Sequence, residues 1–141
     1  MNVTSDDEKI ERYVMGLARG LYEPFFHYDF DHKKGAEIFD YHGFYLGVHK
    51  ISVDVKYLYS DPFEYATNLL SLDKWDEALR NGHLRDHYMI YYYDTLMRIY
   101  DLGRCRPSFG KVKIWHKRER VHREDEVVFL PLSDAIFECN L

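Results

Sequence analysis

The segment ISVDVKYLY, residues 51–59, combines β-branched and aromatic residues in an order that predicts a β-strand. Side chains of a strand alternate between its two faces, so Asp54 and Lys56 project from the same side. A carboxylate and an ammonium group are thus held side by side on a stiff element. The apolar residues that would anchor this strand in a core are Ile51, Val53, Val55 and Leu58.

A second carboxylate precedes this segment. Asp40 lies in residues 36–46, AEIFDYHGFYL, which predict a neighbouring strand. If the two strands pair, Asp40 approaches Asp54, and two carboxylates that close repel each other unless a cation lies between them. Hard oxygen ligands favour Mg²⁺ or Mn²⁺, which retain waters and take up substrate phosphates. With Lys56 to orient or deprotonate a water, this set suits phosphodiester hydrolysis.

A simpler interpretation exists for the Asp54-Val55-Lys56 triplet. Asp-x-Lys occurs by chance in many chains, most often as a surface ion pair that contributes ~0–1 kcal/mol. The surrounding elements favour the catalytic interpretation, because a helix and an acidic residue precede the apolar strand and a helix and a strand follow it.

The rest of the chain predicts alternating helices and strands. A helix over 5–19 is indicated by apolar residues that fall on one helical face. The other predicted elements are strands at 25–30, 36–46 and 51–59, one or two helices in 63–81, a central strand at 88–93, a strand or short helix at 95–102, strands at 111–116 and 126–130, and a short C-terminal helix that starts at Pro131. This order predicts an α/β fold with a mixed central sheet, flanking helices and a strand-rich C-terminal tail.

On these residues the chain resembles the PD-(D/E)xK nuclease superfamily, which has the restriction-endonuclease-like fold. Asp40 looks like the family's first acidic residue, Asp54 like the acidic residue of its (D/E)xK element and Lys56 like its lysine. Residues 11–21, ERYVMGLARGL, are similar to the first helix of archaeal Holliday-junction resolvase-like members, whose helix glutamate completes the metal site. The resemblance spans roughly residues 8–95 and implies that Glu11 joins Asp40 and Asp54 as a metal ligand.

Two alternatives for these acidic residues stay open at this point. Phe39, rather than a proline, precedes Asp40, and Glu37 could serve in place of Asp40. Glu8, one helical turn before Glu11, is the substitute for the helix glutamate.

The helix after the triplet carries two further residues of interest. In this superfamily that helix often faces the substrate, which would bring Lys74 and Trp75 near it. The simpler expectation, which we favour, is that Trp75 packs in the core while Lys74 is solvated.

Length and composition bound the class of protein. The chain has 141 residues, 46% of them hydrophobic, which predicts a single globular domain over residues 1–141. No stretch approaches the ~18 consecutive apolar residues of a membrane span, and the acidic, polar beginning does not resemble a secretory signal. The two cysteines form no disulfide framework, so we expect a cytoplasmic protein. A compact nuclease of this kind would suit a phage or virus.

Charge is distributed unevenly along the chain. The formal net charge is -5, yet residues 104–123 carry eight lysines and arginines against the single acidic residue Glu119. Such a strip could bind backbone phosphates, or it could neutralise the acidic residues 124–126 that follow it. Arg118 and Arg120 would share one strand face if this stretch is extended. The candidate DNA-binding residues are Lys111, Lys113, Lys117, Arg118, Arg120 and Arg123.

Two functions therefore follow as hypotheses. The first is an Mg²⁺- or Mn²⁺-dependent DNA endonuclease, with Glu11, Asp40 and Asp54 as ligands and Lys56 positioning the water; cutting both strands would call for a homodimer. The second is a non-catalytic nucleic-acid or protein interaction module on the same fold, because a fold does not dictate function.

Overall fold

A computed structural model describes residues 5–33, 39–80 and 86–141. It contains two α-helices, α1 (Ser5–Leu21) and α2 (Leu72–Arg80), in this part of the chain. Short 3₁₀ turns span Glu23–His27, Leu102–Arg104 and Leu132–Asp134. The strands are β1 (Asp29–His32), β2 (Tyr41–Tyr45), β3 (Val48–Tyr57), β4 (Thr67–Ser71), β5 (His87–Tyr93), β6 (Leu96–Asp101), β7 (Ser108–His116), β8 (Val121–Pro131) and β9 (Phe137–Asn140).

The central sheet has six strands in the order β1-β2-β3-β5-β6-β9. The β3–β5 pair is parallel, and the other neighbours in this sheet are antiparallel. The predicted α/β class with a mixed sheet is therefore confirmed. The run at 88–93 does form a central strand, because β5 carries apolar and tyrosine side chains toward both faces.

Helix α1 covers one face of this sheet. Val14, Met15 and Ala18 are buried against Val53 and Val55 of β3, together with apolar residues of β5 and β6. These α1 residues recur at helical spacing, so one stripe of the helix is removed from water while its other face stays polar.

The opposite face is covered by α2 and a second, three-stranded sheet in the order β4-β8-β7. Trp75 of α2 and Leu130 of β8 pack with Met89, Tyr91 and Tyr93 of β5. Strand β5 thus sends Met89, Tyr91 and Tyr93 to this layer, whereas the alternate residues of the strand face α1.

A buried polar network joins this second layer to the central sheet. The Arg98 side chain is 0% exposed, and its guanidinium donates to the Glu138 carboxylate at 2.9 Å, to Asn68 Oδ1 at 3.1 Å and to the Pro62 carbonyl at 3.2 Å. The hydroxyl of Tyr100 also donates to Asn68. These partners satisfy the buried guanidinium of Arg98, so its charge does not remain unpaired inside the protein.

Two sequence-based predictions of elements were wrong, and a third was confirmed only in part. Residues 25–30 do not form one strand, because the 3₁₀ turn Glu23–His27, with Pro24 near its start, buries Phe25 before β1 begins. The segment 63–81, predicted to hold one or two helices, holds helix α2 within the described residues, but strand β4 precedes that helix and pairs with residues 127–131 of β8. The C-terminal helix at Pro131 is a short 3₁₀ turn followed by β9, which pairs with β6.

Other predicted boundaries moved by a few residues. Residues 95–102, left open between strand and helix, form β6, and the predicted strands at 111–116 and 126–130 extend into β7 and β8. The predicted strand at 36–46 is seen as β2, with its first part outside the described residues. Within the described chain, neither helix is long and apolar enough to cross a membrane.

Candidate functional site

Asp40, the residue before β2, lies opposite Asp54 of the neighbouring strand β3. The β2–β3 register places Tyr41 beside Val53, so the residue before β2 meets Asp54. The backbone N–H of Asp40 donates to Asp54 Oδ1 at 3.2 Å, and the N–H of Val55 donates to Asp40 Oδ2 at 3.3 Å. The two carboxyl groups are also close enough for each to change the pKa of the other. The predicted strand pairing therefore brings the two acidic residues together.

Asp54 is the buried member of this pair. Its side chain is 2% exposed, and burial raises its pKa to about 7; the Lys74 ammonium opposes that change, while the neighbouring Asp40 carboxyl adds to it. Burial also raises the pKa of Asp40, the hydrogen bond to Asp54 lowers it, and the negative charge of Glu11 raises it. Because two neighbouring carboxylates repel each other, the pair is stabilised when it shares a proton or binds a cation.

Lys74 of α2 forms an ion pair with Asp54 Oδ2. Its side chain is only 29% exposed, so the expectation of a solvated Lys74 was wrong. The reason is that α2 lies in the layer that covers the same face of the central sheet from which Asp54 projects, and the lysine stem can follow that surface to the carboxylate. Trp75, the next residue, is 8% exposed and packs in the core as expected.

Glu11 approaches Asp40 from the other side of the sheet, together with His32. One ligand atom each from Glu11, His32 and Asp40 lies within 4.8 Å of the other two. The His32 Nε2 atom is 3.2 Å from Glu11 Oε2, and these side chains are 12% and 18% exposed. Glu11, rather than Glu8, is thus the helix carboxylate that meets Asp40 in this part of the chain.

Lys56 projects from the same face of β3 as Asp54. Its side chain is exposed to solvent, but local desolvation lowers its pKa, and the positive charge of Lys74 lowers it further against the opposing effect of Asp54. Lys56 is paired in the parallel β3–β5 register with Tyr91, and both line a cavity of ≈ 140 Å³ whose lining does not include Asp40 or Asp54. The lysine therefore stands between the acidic pair and an open pocket.

The donor set fits a divalent cation. Asp40 lies at the junction between Asp54 on one face and the Glu11–His32 pair on the other, and its carboxyl group is shared by both. The Nδ1 atom of His32 is buried and has no hydrogen-bond partner among the described residues. Carboxylate oxygens are typical of Mg²⁺ or Mn²⁺ sites, whereas an imidazole ligand favours a transition metal ion over Mg²⁺.

Two members of the site, His32 and Lys74, were not predicted as such from the sequence. His32 reaches the cluster because β1 pairs with β2 and places it beside Tyr41, with ring centroids 5.0 Å apart. Lys74 reaches it because α2 covers the face of the central sheet from which Asp54 projects. The remaining candidate, Glu37, lies outside the described residues, so its relation to Asp40 is untested.

The basic segment forms most of the β7–β8 hairpin. Cross-strand neighbours place Lys111 opposite Glu126 and Lys113 opposite Glu124. Two further acid–base contacts join His116 to Asp125 at 2.9 Å and Arg123 to Glu119. Part of the basic charge is therefore neutralised within the hairpin, as the structural interpretation of this strip predicted.

Arg118 and Arg120 do not alternate along a strand, so that prediction was wrong. They lie in the turn at 117–120, where Arg120 has a left-handed φ of 52° and its N–H donates to the carbonyl of His116 at 2.8 Å. Both arginines are exposed at the tip of the hairpin. The contribution of this tip to DNA binding stays a prediction.

The chain matches no protein-family model, and no curated protein and no solved structure matches it significantly. The functional argument therefore depends on the geometry of the site.

Proposed function

We propose that this protein is a metal-dependent DNA endonuclease of the restriction-endonuclease-like type, which hydrolyses phosphodiester bonds with Mg²⁺ or Mn²⁺. The observation that carries the proposal is the position of Asp40, whose backbone N–H donates to the Asp54 carboxylate and whose carboxyl group lies within 4.8 Å of ligand atoms of Glu11 and His32. Lys56 on the Asp54 side of β3 completes the set. Along the chain, α1, the central-sheet strands β1–β3 and then α2 and β5 follow one another, with β4 of the second sheet placed before α2, and this order supports the same class.

Each residue has a role that follows from its surroundings. Asp40, Asp54 and Glu11 would bind the cation with oxygens held just before β2, on β3 and on α1, because backbone donors already hold the two aspartates. A bound divalent cation supplies Lewis acidity toward a phosphoryl oxygen and lowers the pKa of a bound water. Lys56, with its lowered pKa, holds that water or accepts its proton. Desolvation lowers the pKa of Lys56, so a larger fraction of its amine is neutral and able to accept a proton from the water.

The proposed substrate partner is DNA, bound in part by the basic hairpin β7–β8. Lys117, Arg118 and Arg120 at its tip are exposed and lie beyond the cross-strand acidic residues. One catalytic set in each chain can cut one strand, so we propose a homodimer for double-strand cleavage.

Incubation with supercoiled, linear, single-stranded and branched DNA, with and without Mn²⁺, tests the activity. We expect cation-dependent cleavage that is abolished by Asp54→Asn and by Lys56→Ala. The matched controls are Asp29→Asn and Lys50→Ala, which change exposed residues of β1 and β3 outside the site. If both site variants cut DNA at the wild-type rate, the assignment of the site is wrong.

A non-catalytic interaction module is the second candidate, and one observation favours it. The Lys74 ammonium already neutralises Asp54, so this carboxylate is paired without a cation. The two functions differ in the response to Mn²⁺ alone. The endonuclease requires that Mn²⁺ raise the melting temperature and that Asp54→Asn reduce the rise, whereas an interaction module without a metal site shows neither effect.

A further inference from the structure

The cavity beside Lys56 is not used by the carboxylate site. It lies between the end of β3, the loop at 58–65 and strand β4, with Tyr91 and Tyr93 of β5 behind it. Both tyrosines are buried, at 0% and 4% exposed, so this wall is rigid. The Tyr93 hydroxyl accepts a hydrogen bond from the Asn68 amide at 2.7 Å, which fixes it further.

Size and lining restrict what the cavity can hold. Its volume is ≈ 140 Å³. A cavity of roughly 150 Å³ holds one benzene ring, so this one has room for a single six-membered ring. Polar groups of Ser60, Asp61 and Thr67 line it as well, and they offer donors and acceptors to the edge of a planar ring.

The mouth of the cavity carries an aromatic side chain. Tyr65 lines the cavity and is nevertheless 67% exposed, so its ring is accessible to a ligand that enters. Exposed aromatic rings beside positive charge are the usual platform for unpaired bases, because every base has a face that stacks. Lys56, also in the lining, supplies the positive charge.

We propose that this cavity receives one unpaired pyrimidine base, which stacks on Tyr65 while the adjoining phosphate lies at Lys56. This inference rests on the proposed endonuclease function and specifies its substrate class: DNA with an unpaired pyrimidine, in a bulge or a single strand, next to the cleaved bond. A base that is already unpaired enters without the cost of breaking a pair, which makes such DNA the preferred substrate. A purine, with two fused rings, exceeds the space.

The test compares three duplexes: one fully paired, one with a single bulged thymidine and one with a bulged deoxyadenosine. Binding is measured by fluorescence anisotropy with Ca²⁺, and cleavage separately with Mn²⁺. We expect the thymidine bulge to bind about tenfold more tightly than either other duplex, since stacking of one base contributes about that factor or more. Tyr65→Ala should remove this preference, and Tyr65→Phe should keep it.

The control is Tyr45→Ala, which removes another exposed tyrosine, at the end of β2 and outside the cavity lining, and should keep the preference. Equal binding of the three duplexes by the wild type would contradict the proposal that the cavity binds an unpaired base. An unchanged preference of Tyr65→Ala for the thymidine bulge would contradict it as well. Equal binding of the thymidine and deoxyadenosine bulges would contradict the inference that the cavity admits only a single ring. Cleavage of all three duplexes at equal rates would support the endonuclease function and contradict the base-binding cavity. Selective binding of the thymidine bulge without any cleavage would support the cavity and contradict the endonuclease function.

Discussion

The two faces of the central sheet meet at Asp40 but present different chemistry. On the α1 face, Glu11 and His32 offer a carboxylate and an imidazole within 4.8 Å of Asp40. On the α2 face, the buried carboxyl group of Asp54 is paired with Lys74 and lies near Lys56. The first face is supplied with metal ligands and the second with ammonium groups.

In the proposed endonuclease, this difference would separate cation binding from phosphate and water chemistry. The α1 face would supply ligands to a cation that Asp40 also binds, whereas the α2 face would add the lysines that interact with an anionic substrate. Asp54 belongs to both tasks because it is hydrogen-bonded with Asp40 and ion-paired with Lys74. The following predictions test whether the two faces can be separated by mutation.

The largest expected effect on metal affinity comes from Asp40, the residue that both faces share. Asp40→Ala should lower the affinity for Mn²⁺ by at least about 100-fold, because it removes the carboxylate that links Glu11 to Asp54; changing an outer-shell partner alone typically costs about 10–100-fold. Titration calorimetry of Asp40→Ala and Glu37→Ala decides between the two acidic residues. A larger loss of Mn²⁺ affinity in Glu37→Ala than in Asp40→Ala would show that Glu37 is the ligand.

Lys74 gives an effect of opposite sign on the second face. Because its ammonium occupies Asp54 Oδ2, it competes with a cation for that carboxylate. Lys74→Ala should therefore tighten Mn²⁺ binding several-fold and weaken the binding of DNA. Arg80→Ala, which removes an exposed positive charge from the end of the same helix, is the control and should leave the Mn²⁺ affinity unchanged. Weaker Mn²⁺ binding in Lys74→Ala would show that the ammonium supports the metal site.

The acidic pair and the lysine of the triplet could be predicted from the sequence because strand alternation is local. Once β2 and β3 pair, Asp54 and Lys56 must share a face and Asp40 must arrive opposite Asp54. His32 and Lys74 reach the site through tertiary packing, which no short pattern specifies. Strand β4 was missed for the same reason, since its partner is the distant strand β8.

A smaller effect is expected from pH. The folded pKa of Asp54 is raised to about 7, above an unfolded value of about 3.9, so the folded state binds the extra proton between these values. Stability without a divalent cation should therefore fall as pH rises from about 4 to 7. Asp54→Asn, which removes the titration, should flatten this part of the melting-temperature profile. A wild-type profile that rises over the same interval would contradict the raised pKa.

The smallest expected effect concerns the hairpin β7–β8, where two kinds of basic residue can be compared. Lys111 and Lys113 face acidic neighbours across the strands, whereas Arg118 and Arg120 lie exposed in the turn. If the tip binds phosphates, the Arg118→Glu/Arg120→Glu variant should bind duplex DNA more weakly. Its dependence of log K on log salt should be shallower by about 0.9 for each phosphate that the variant no longer neutralises.

The matched variant Lys111→Gln/Lys113→Gln separates these roles. Its main effect should be on stability, because each cross-strand pair contributes roughly 0.2–1 kcal/mol, and its salt slope should change less than that of the tip variant. Neither variant should alter Mn²⁺ affinity, since the hairpin supplies no member of the Glu11–His32–Asp40 cluster. An unchanged DNA affinity in the tip variant together with a lower melting temperature would assign the basic hairpin to folding alone.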